Sequence, residues 1–290
     1  MILTHTAQRE GKLLTFLRRE LGMSTGLVKR LKYCHAYRVN GQPQYTNFMV
    51  RPGDVITVTL DEGEPEYPVE DGPLDILYED EAVIALDKPA GLLIHPSSCR
   101  GTGTLANRLA GYYAATGQAC LVHPVSRLDR DTFGVVLIAK NAHTHAVMQA
   151  LLAEGAGQKV YHAAVLGGPA ADSGRLDYPI YRPDPMRMLR AVGPEGQTAL
   201  TDFQVLRRGA ETSLLELRPV TGRTHQLRLH CLTAGFPILG DPQYSTEASR
   251  AYSDGLGLPW QQLCAHSLTF PHPITHETIT VTSRQRVWSE

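Results

Sequence analysis

Apolar and polar residues alternate with two different periods in the first sixty positions. In 12–21, KLLTFLRREL, Leu13, Leu14, Leu17 and Leu21 recur at helical spacing, and Gly22 supplies a stop. Ser24 stands where it can cap a second helix, with Leu27, Val28 and Leu31 on the inner face and Lys29, Arg30 and Lys32 outside. Tyr37-Arg38-Val39 then runs into Asn40-Gly41, a tight-hairpin dipeptide. Pro52-Gly53 marks another turn, and 54–60 is rich in β-branched residues, as strands are. The pattern predicts a module of two short helices followed by a small sheet, ending near residue 60.

Periodicity vanishes in 61–73, DEGEPEYPVEDGP, which holds three prolines and reads as an acidic linker. A larger body follows over 74–290. Its expected strands are 74–78, 82–86, 135–139, 160–166, 214–217 and 279–282. Its expected helices are 104–115, 141–154 with Asn141 as cap, and 224–234 closed by Gly235. Strands outnumber helices without alternating with them, which favours an α+β domain over a doubly wound one. No internal repeat is visible.

Composition narrows the class. A chain of 290 residues suits two domains, and 42% hydrophobic against 20% charged residues is enough for a large core. No apolar run approaches the ~20 residues of a membrane span. The first twelve residues lack the basic-then-apolar plan of a signal peptide. The five cysteines, Cys34, Cys99, Cys120, Cys231 and Cys264, are scattered with no CxxC pair, so a disulfide framework is not expected and a reducing cytoplasm is.

A net charge of −1 conceals an asymmetry: residues 11–60 carry eight Lys/Arg against two Asp/Glu, whereas 61–81 carry ten Asp/Glu and no Lys/Arg. By composition alone the basic module is equally a solvated face or a phosphate-binding one.

Three segments concentrate chemistry. In 126–134, SRLDRDTFG, two arginines and two aspartates crowd a turn that leads into an apolar strand; spacing alone makes this a surface turn with ion pairs. In 221–230, TGRTHQLRLH, Arg228 falls near the positive end of a helix, where a cation is disfavoured unless an anion faces it. Lys88-Pro89-Ala90-Gly91 through His95-Pro96 is a rigid turn after a strand.

Together these segments resemble the RluA family of RNA pseudouridine synthases. The carriers are LDKPAGLLIHP (86–96), SRLDRDTFGVVLIAKN (126–141), KVYHAAVLG (159–167) and TGRTHQLRLHCLTAGFPILGDPQY (221–244), in the family's order and across most of 74–290. Residues 11–60 resemble an S-four-type RNA-binding domain, with its VNG and RPGD turns. That likeness makes the basic charge expected. The implied fold is a mixed, largely antiparallel central sheet flanked by helices and loops, preceded by the small α/β module as residues 1–60.

The implied activity is isomerisation of uridine to pseudouridine inside structured RNA, without cofactor or metal. Asp129 matches the catalytic aspartate, as nucleophile at the sugar carbon or base at its neighbour. Arg228 matches that aspartate's basic partner, and Tyr161 the active-site tyrosine. Arg127 and Arg223 are candidate RNA ligands beside the pocket, and Lys29, Arg30, Lys32 and Arg38 on the small module. Ribosomal RNA is favoured over transfer RNA, and a cytoplasmic monomer with no obligatory protein partner is expected. Two departures stand out: Ser126 where many relatives have histidine, and Phe133 where many have serine. The first removes a side chain that could help order the loop or the RNA, and the second adds bulk beside the turn that carries Asp129.

Three alternatives compete. A glycosidase would use Asp129 and Asp131, but two carboxylates this close in one loop rarely flank a sugar; released free base would mark it. A binding protein without activity would keep its role after Asp129 is replaced. A metal enzyme would need His143/His145 or His225/His230, without any HExxH or cysteine–histidine cluster in support.

Overall fold

The computed structural model describes residues 1–32, 34–60, 67–96 and 101–288. The first six residues of the expected linker, 61–66, and Cys99 lie outside the described residues.

In the N-terminal part, helices Leu13–Arg19 and Thr25–Lys32 sit on a four-stranded sheet. Ser24 Oγ accepts the Leu27 N–H at 3.2 Å, the expected cap. Asn40 and Gly41, at φ 51° and 77°, close the hairpin between Tyr37–Val39 and Gln42–Pro43. Such left-handed torsions are those an Asn-Gly turn accommodates. Leu13, Phe16, Leu17, Leu27, Val28, Leu31, Ile56 and Val58 form one core. Leu14 is instead exposed, because Leu13, Phe16 and Leu17 occupy the inner face. Strand Ile2–Thr6, which sequence pattern did not reveal, pairs antiparallel with Val55–Thr59.

The larger part is built on one ten-stranded sheet. Its main path runs Ser173–Asp177, Leu200–Arg208, Thr212–Pro219, Gln158–Leu166, Leu263–Pro271, Phe133–Ala139, Val83–Lys88 and Ile76–Glu79. Among the described residues all its pairings but one are antiparallel; the exception is Leu263–Pro271 beside Phe133–Ala139, joined at Phe133–Cys264 and Gly134–Ala265. That short parallel seam makes the sheet mixed and connects its two antiparallel halves.

Strands Val83–Lys88 and Phe133–Ala139 are buried along their whole length. Ile84, Leu86, Val136 and Ile138 pack under helix Leu105–Ala115, while Val83, Ala85, Val135 and Leu137 pack with Met148 of helix Ala142–Ala153 on the other face. Continuous apolar runs are what a sheet covered on both faces requires. Thr104 and Asn141 cap the two helices by accepting the backbone N–H of Asn107 and Thr144. In the other half, Leu227 and Cys231 of helix Gln226–Thr233 pack on Ala163, Val165, Leu215 and Leu217. Residues 67–73 lie against the larger part: Glu70 accepts the Gly103 N–H, and Tyr67 and Leu74 pack beside helix Leu105–Ala115. Among the described residues no helix is long and apolar enough to cross a membrane.

Candidate active site

The turn 126–132 delivers Asp129 to one end of the sheet, and four anchors hold it. Ser126 Oγ accepts the Leu137 N–H at 3.0 Å, tying the start of the turn to the neighbouring strand. Thr132 N–H closes onto the Asp129 carbonyl at 3.2 Å, and Gln261 donates to the Thr132 hydroxyl. Lys88, fully buried, donates to the carbonyls of Pro89, Leu92 and Arg130 at 2.8–2.9 Å. Those three acceptors match the three N–H groups of an ammonium. Burial pulls the Lys88 pKa down to about 7, and the charges of Asp131 and Asp129 oppose that shift. The two sequence departures thus have structural roles. Ser126 is a buried hydrogen-bond acceptor, and Phe133 is buried in a core with Ala164, Leu239 and Cys264.

Arg228 arrives from the opposite half of the sheet. Its helix begins at Gln226, whose amide donates to the Leu200 carbonyl and Thr201 hydroxyl and accepts from Thr221 and the Arg223 N–H. This fully used amide fixes the first helical turn to strand Leu200–Arg208. Arg228 Nη1 donates to Asp129 Oδ2 at 2.9 Å. Its other edge forms a fork on Asp241, Nε to Oδ2 at 2.7 Å and Nη2 to Oδ1 at 2.8 Å, and Nη2 also reaches Gln243 Oε1. The guanidinium lies over the Tyr244 ring, 4.8 Å from its centroid.

The anion demanded by a cation at a helix start is therefore present twice. Burial works against the Arg228 charge, but Asp241 and then Asp129 outweigh it and raise its pKa. Asp241 is itself fully buried; Arg228 and the N–H groups of Tyr244 and Gln243 overcome that burial and lower its pKa. Asp129 remains 30% exposed, and among the described residues its Oδ1 has no hydrogen-bond partner. One guanidinium thus faces a closed carboxylate and an open one.

Tyr161 lies in strand Gln158–Leu166 opposite Ala265, immediately after a register shift at Val160/Tyr161. Such bulges re-aim side chains beside sites. Burial first, and the Asp129 charge second, push its hydroxyl above the ordinary tyrosine range, so it stays protonated at neutral pH. Three of the expected site residues, Asp129, Tyr161 and Arg228, thus share one electrostatic environment. Arg127 is exposed on the same turn as Asp129, while exposed Arg223 donates to the Thr198 carbonyl. Lys29, Arg30, Lys32 and Arg38 are exposed on the small module.

Asp241, Gln226, His225 and Tyr244 escaped sequence reasoning. Asp241 sits in a turn with no periodic signal, and only the unpaired charge of Arg228 hinted at a partner. Among the described residues the glycosidase and metal readings find no converging groups. Asp131 is held in a two-point ion pair by Arg130, at 2.8 and 2.9 Å. His145 turns to the Pro124 carbonyl, His230 to the Tyr178 carbonyl and His225 to the Tyr244 hydroxyl, so neither histidine pair converges.

A family model described as RNA pseudouridylate synthase matches residues 82–233, which include Asp129, Tyr161 and Arg228. The chain belongs to this family. The synthase is 35% identical over 285 residues to the uncharacterized RNA pseudouridine synthase YhcT of Bacillus subtilis, covering 96% of this chain and 91% of that protein. It is 31% identical over 278 residues to ribosomal large subunit pseudouridine synthase C of Vibrio cholerae, covering 92% and 87%. Human RNA pseudouridylate synthase domain containing 1 superposes on the synthase with a TM-score of 0.61 at 25% identity, covering 75% of this chain and 86% of that one.

Proposed function

We propose that this synthase isomerises uridines of ribosomal RNA, with Asp129 as its catalytic carboxylate. The supporting observation is the asymmetry around Arg228. Asp241 takes the Nε–Nη2 edge of the guanidinium, which leaves Nη1 to hold Asp129 by Oδ2, and among the described residues Oδ1 stays open. A fully buried pair thus anchors a partly open carboxylate by one oxygen without sealing the other.

In the reaction the bond from uracil N1 to C1′ breaks and one from C5 to C1′ forms. C5 loses a proton and N1 gains one, so nothing is added or released. Asp129 Oδ1 serves either as nucleophile at C1′ or as base at C2′. A uridine within a duplex must leave its stack to reach this carboxylate, at a cost of a few kcal/mol. Arg127 and Arg223 are assigned to the phosphates or the vacated space around it. Tyr161, a protonated phenol, packs against uracil and donates a hydrogen bond.

Residues 1–60 are assigned to RNA binding as an S-four-type domain, the catalytic domain to 74–290 and a linker to 61–73. The exposed Lys29, Arg30, Lys32 and Arg38 would contact phosphates irrespective of sequence. The target is taken to be ribosomal because a relative covering 92% of this chain is named for the large ribosomal subunit. The enzyme is assigned as a cytoplasmic monomer.

The test is release of tritium from RNA labelled at uracil C5, together with mapping of pseudouridine in ribosomal RNA from cells with and without the gene. Asp129→Asn is expected to lower turnover by at least about three orders of magnitude while RNA binding persists. Free uracil among the products, or full activity in Asp129→Asn, would overturn the assignment. Deuterium at C2′ separates the two routes, since only the base route breaks that bond.

A further inference from the structure

The residue before the Arg228 helix carries a backbone cost. His225 has φ 58°, the left-handed region that non-glycine residues with a Cβ adopt at a penalty. It caps helix Gln226–Thr233 without any side-chain hydrogen bond to that helix. Strain held at one position is a pointer to what the side chain does there.

That side chain is tied at both ends. Nδ1 lies 2.8 Å from the Tyr244 hydroxyl, which in turn accepts the Arg190 backbone N–H at 2.9 Å. With the Arg190 N–H directed at its oxygen, the tyrosine's own proton is free to go to Nδ1, which leaves the ring proton on Nε2. Nε2 faces Asp129 Oδ2 at 3.8 Å. His225 and Arg228 are three residues apart at the start of one helix, so both side chains reach the same carboxylate oxygen.

We propose that His225 is a positioning residue for Asp129. Its Nε2–H closes on Oδ2 when the nucleotide seats, so that Oδ2 is held by two donors and Oδ1 is turned toward the sugar. At 3.8 Å the pair is longer than a hydrogen bond, and catalytic contacts of this kind commonly tighten when substrate binds. The groups that face the ring are Asp129, Arg228, Arg190, Asp241 and Tyr244. Burial lowers its pKa, Asp129 and Asp241 oppose this, and Arg228 and Arg190 reinforce it; the net direction is down, toward the neutral ring that the hydrogen-bond chain requires. The inference rests on the assignment of Asp129 above and adds to it the choice of reacting oxygen.

The experiment compares wild type with His225→Gly, His225→Gln, Tyr244→Phe and the Gly/Phe double variant. The substrate is C5-tritiated RNA from cells that lack the protein. Glycine takes φ 58° without a penalty, so His225→Gly keeps the helix start and removes only the ring. Expected is a fall in kcat on the order of 10- to 100-fold, the rate equivalent of one charge-assisted hydrogen bond, with KM and Tm unchanged. Glutamine, whose amide N–H reaches about as far as Nε2, restores part of it. Tyr244→Phe lowers kcat less, and the double variant is no slower than His225→Gly alone. An unchanged kcat in His225→Gly overturns the proposal. So does a loss that appears only in KM or Tm, or one that multiplies with Tyr244→Phe. If wild type itself releases no tritium, it is the assignment of activity that fails, before any variant is compared.

Discussion

Arg228 and Asp129 are 99 residues apart in the chain and 2.9 Å apart in the fold. They come from different halves of the sheet, and the strand Leu263–Pro271 is what brings those halves together. The geometry of the site therefore depends on the sheet as a whole, and several of its supports can be removed one at a time.

Arg228→Ala leaves the Asp241 carboxylate buried with no cation. Unfolding in denaturant is expected to show a loss of about 3–5 kcal/mol, against a smaller one for Arg228→Lys, which keeps the charge but not the fork. The pair also sets an acid limit. The folded pKa of Asp241 lies below the ordinary ~3.9, so its contribution is complete above about pH 4 and disappears as pH falls through the folded value. Stability measured between pH 5 and pH 2 should drop less steeply in Asp241→Asn than in wild type.

Lys88→Met keeps the length of the side chain and removes all three N–H donors. The carbonyls of Pro89, Leu92 and Arg130 then lose their shared partner, at a cost of roughly 3 kcal/mol. Because one of these carbonyls belongs to the turn that carries Asp129, kcat at a temperature where the protein is folded should also fall. A variant that is destabilised yet turns over at the wild-type rate would show that the turn is held without Lys88.

Gly134→Ala tests the parallel seam. Gly134 has φ 105°, and a Cβ there would meet the Ala265 carbonyl oxygen at 2.3 Å. Backbone strain and the clash act together, and the expected loss is about 3 kcal/mol or more, read as a drop in Tm. Gly155→Ala, also at positive φ but with open space around it, serves as the comparison and should cost less.

Lys29→Ala/Lys32→Ala is expected to weaken RNA binding without altering kcat at saturating substrate. The slope of log K against log salt should become shallower by roughly 1 to 2 units, one for each phosphate that is no longer neutralised. An unchanged slope would remove this helix from the RNA interface.

Much of the framework was legible because its signals are local. Asn141 caps where its spacing to an apolar run places it, and Asn40-Gly41 turns where a hairpin needs two left-handed residues. Arg228 could be singled out because a cation in a first helical turn asks for an anion. Strand Leu263–Pro271, the junction of the whole sheet, was missed because His266, Ser267 and Thr269 interrupt its apolar pattern. The rings of His162 and His266 stack on each other at 3.8 Å, so a polar-looking position is filled by a neighbour from the next strand. Strand Ser173–Asp177 is largely exposed and Leu200–Arg208 only partly buried, and both carry little apolar alternation to detect. Asp241 meets Arg228 and Tyr244 meets His225 across 13 and 19 residues of intervening helix and turn, and no short-range pattern encodes such a partnership.

The seam at Phe133–Cys264 and Gly134–Ala265 also has a temporal consequence. Asp129 and Arg228 are both synthesised before residues 263–271, the strand through which their two half-sheets pair. A nascent chain lacking it is expected to hold Asp129 and Arg228 apart, so the site assembles only once translation has passed this point.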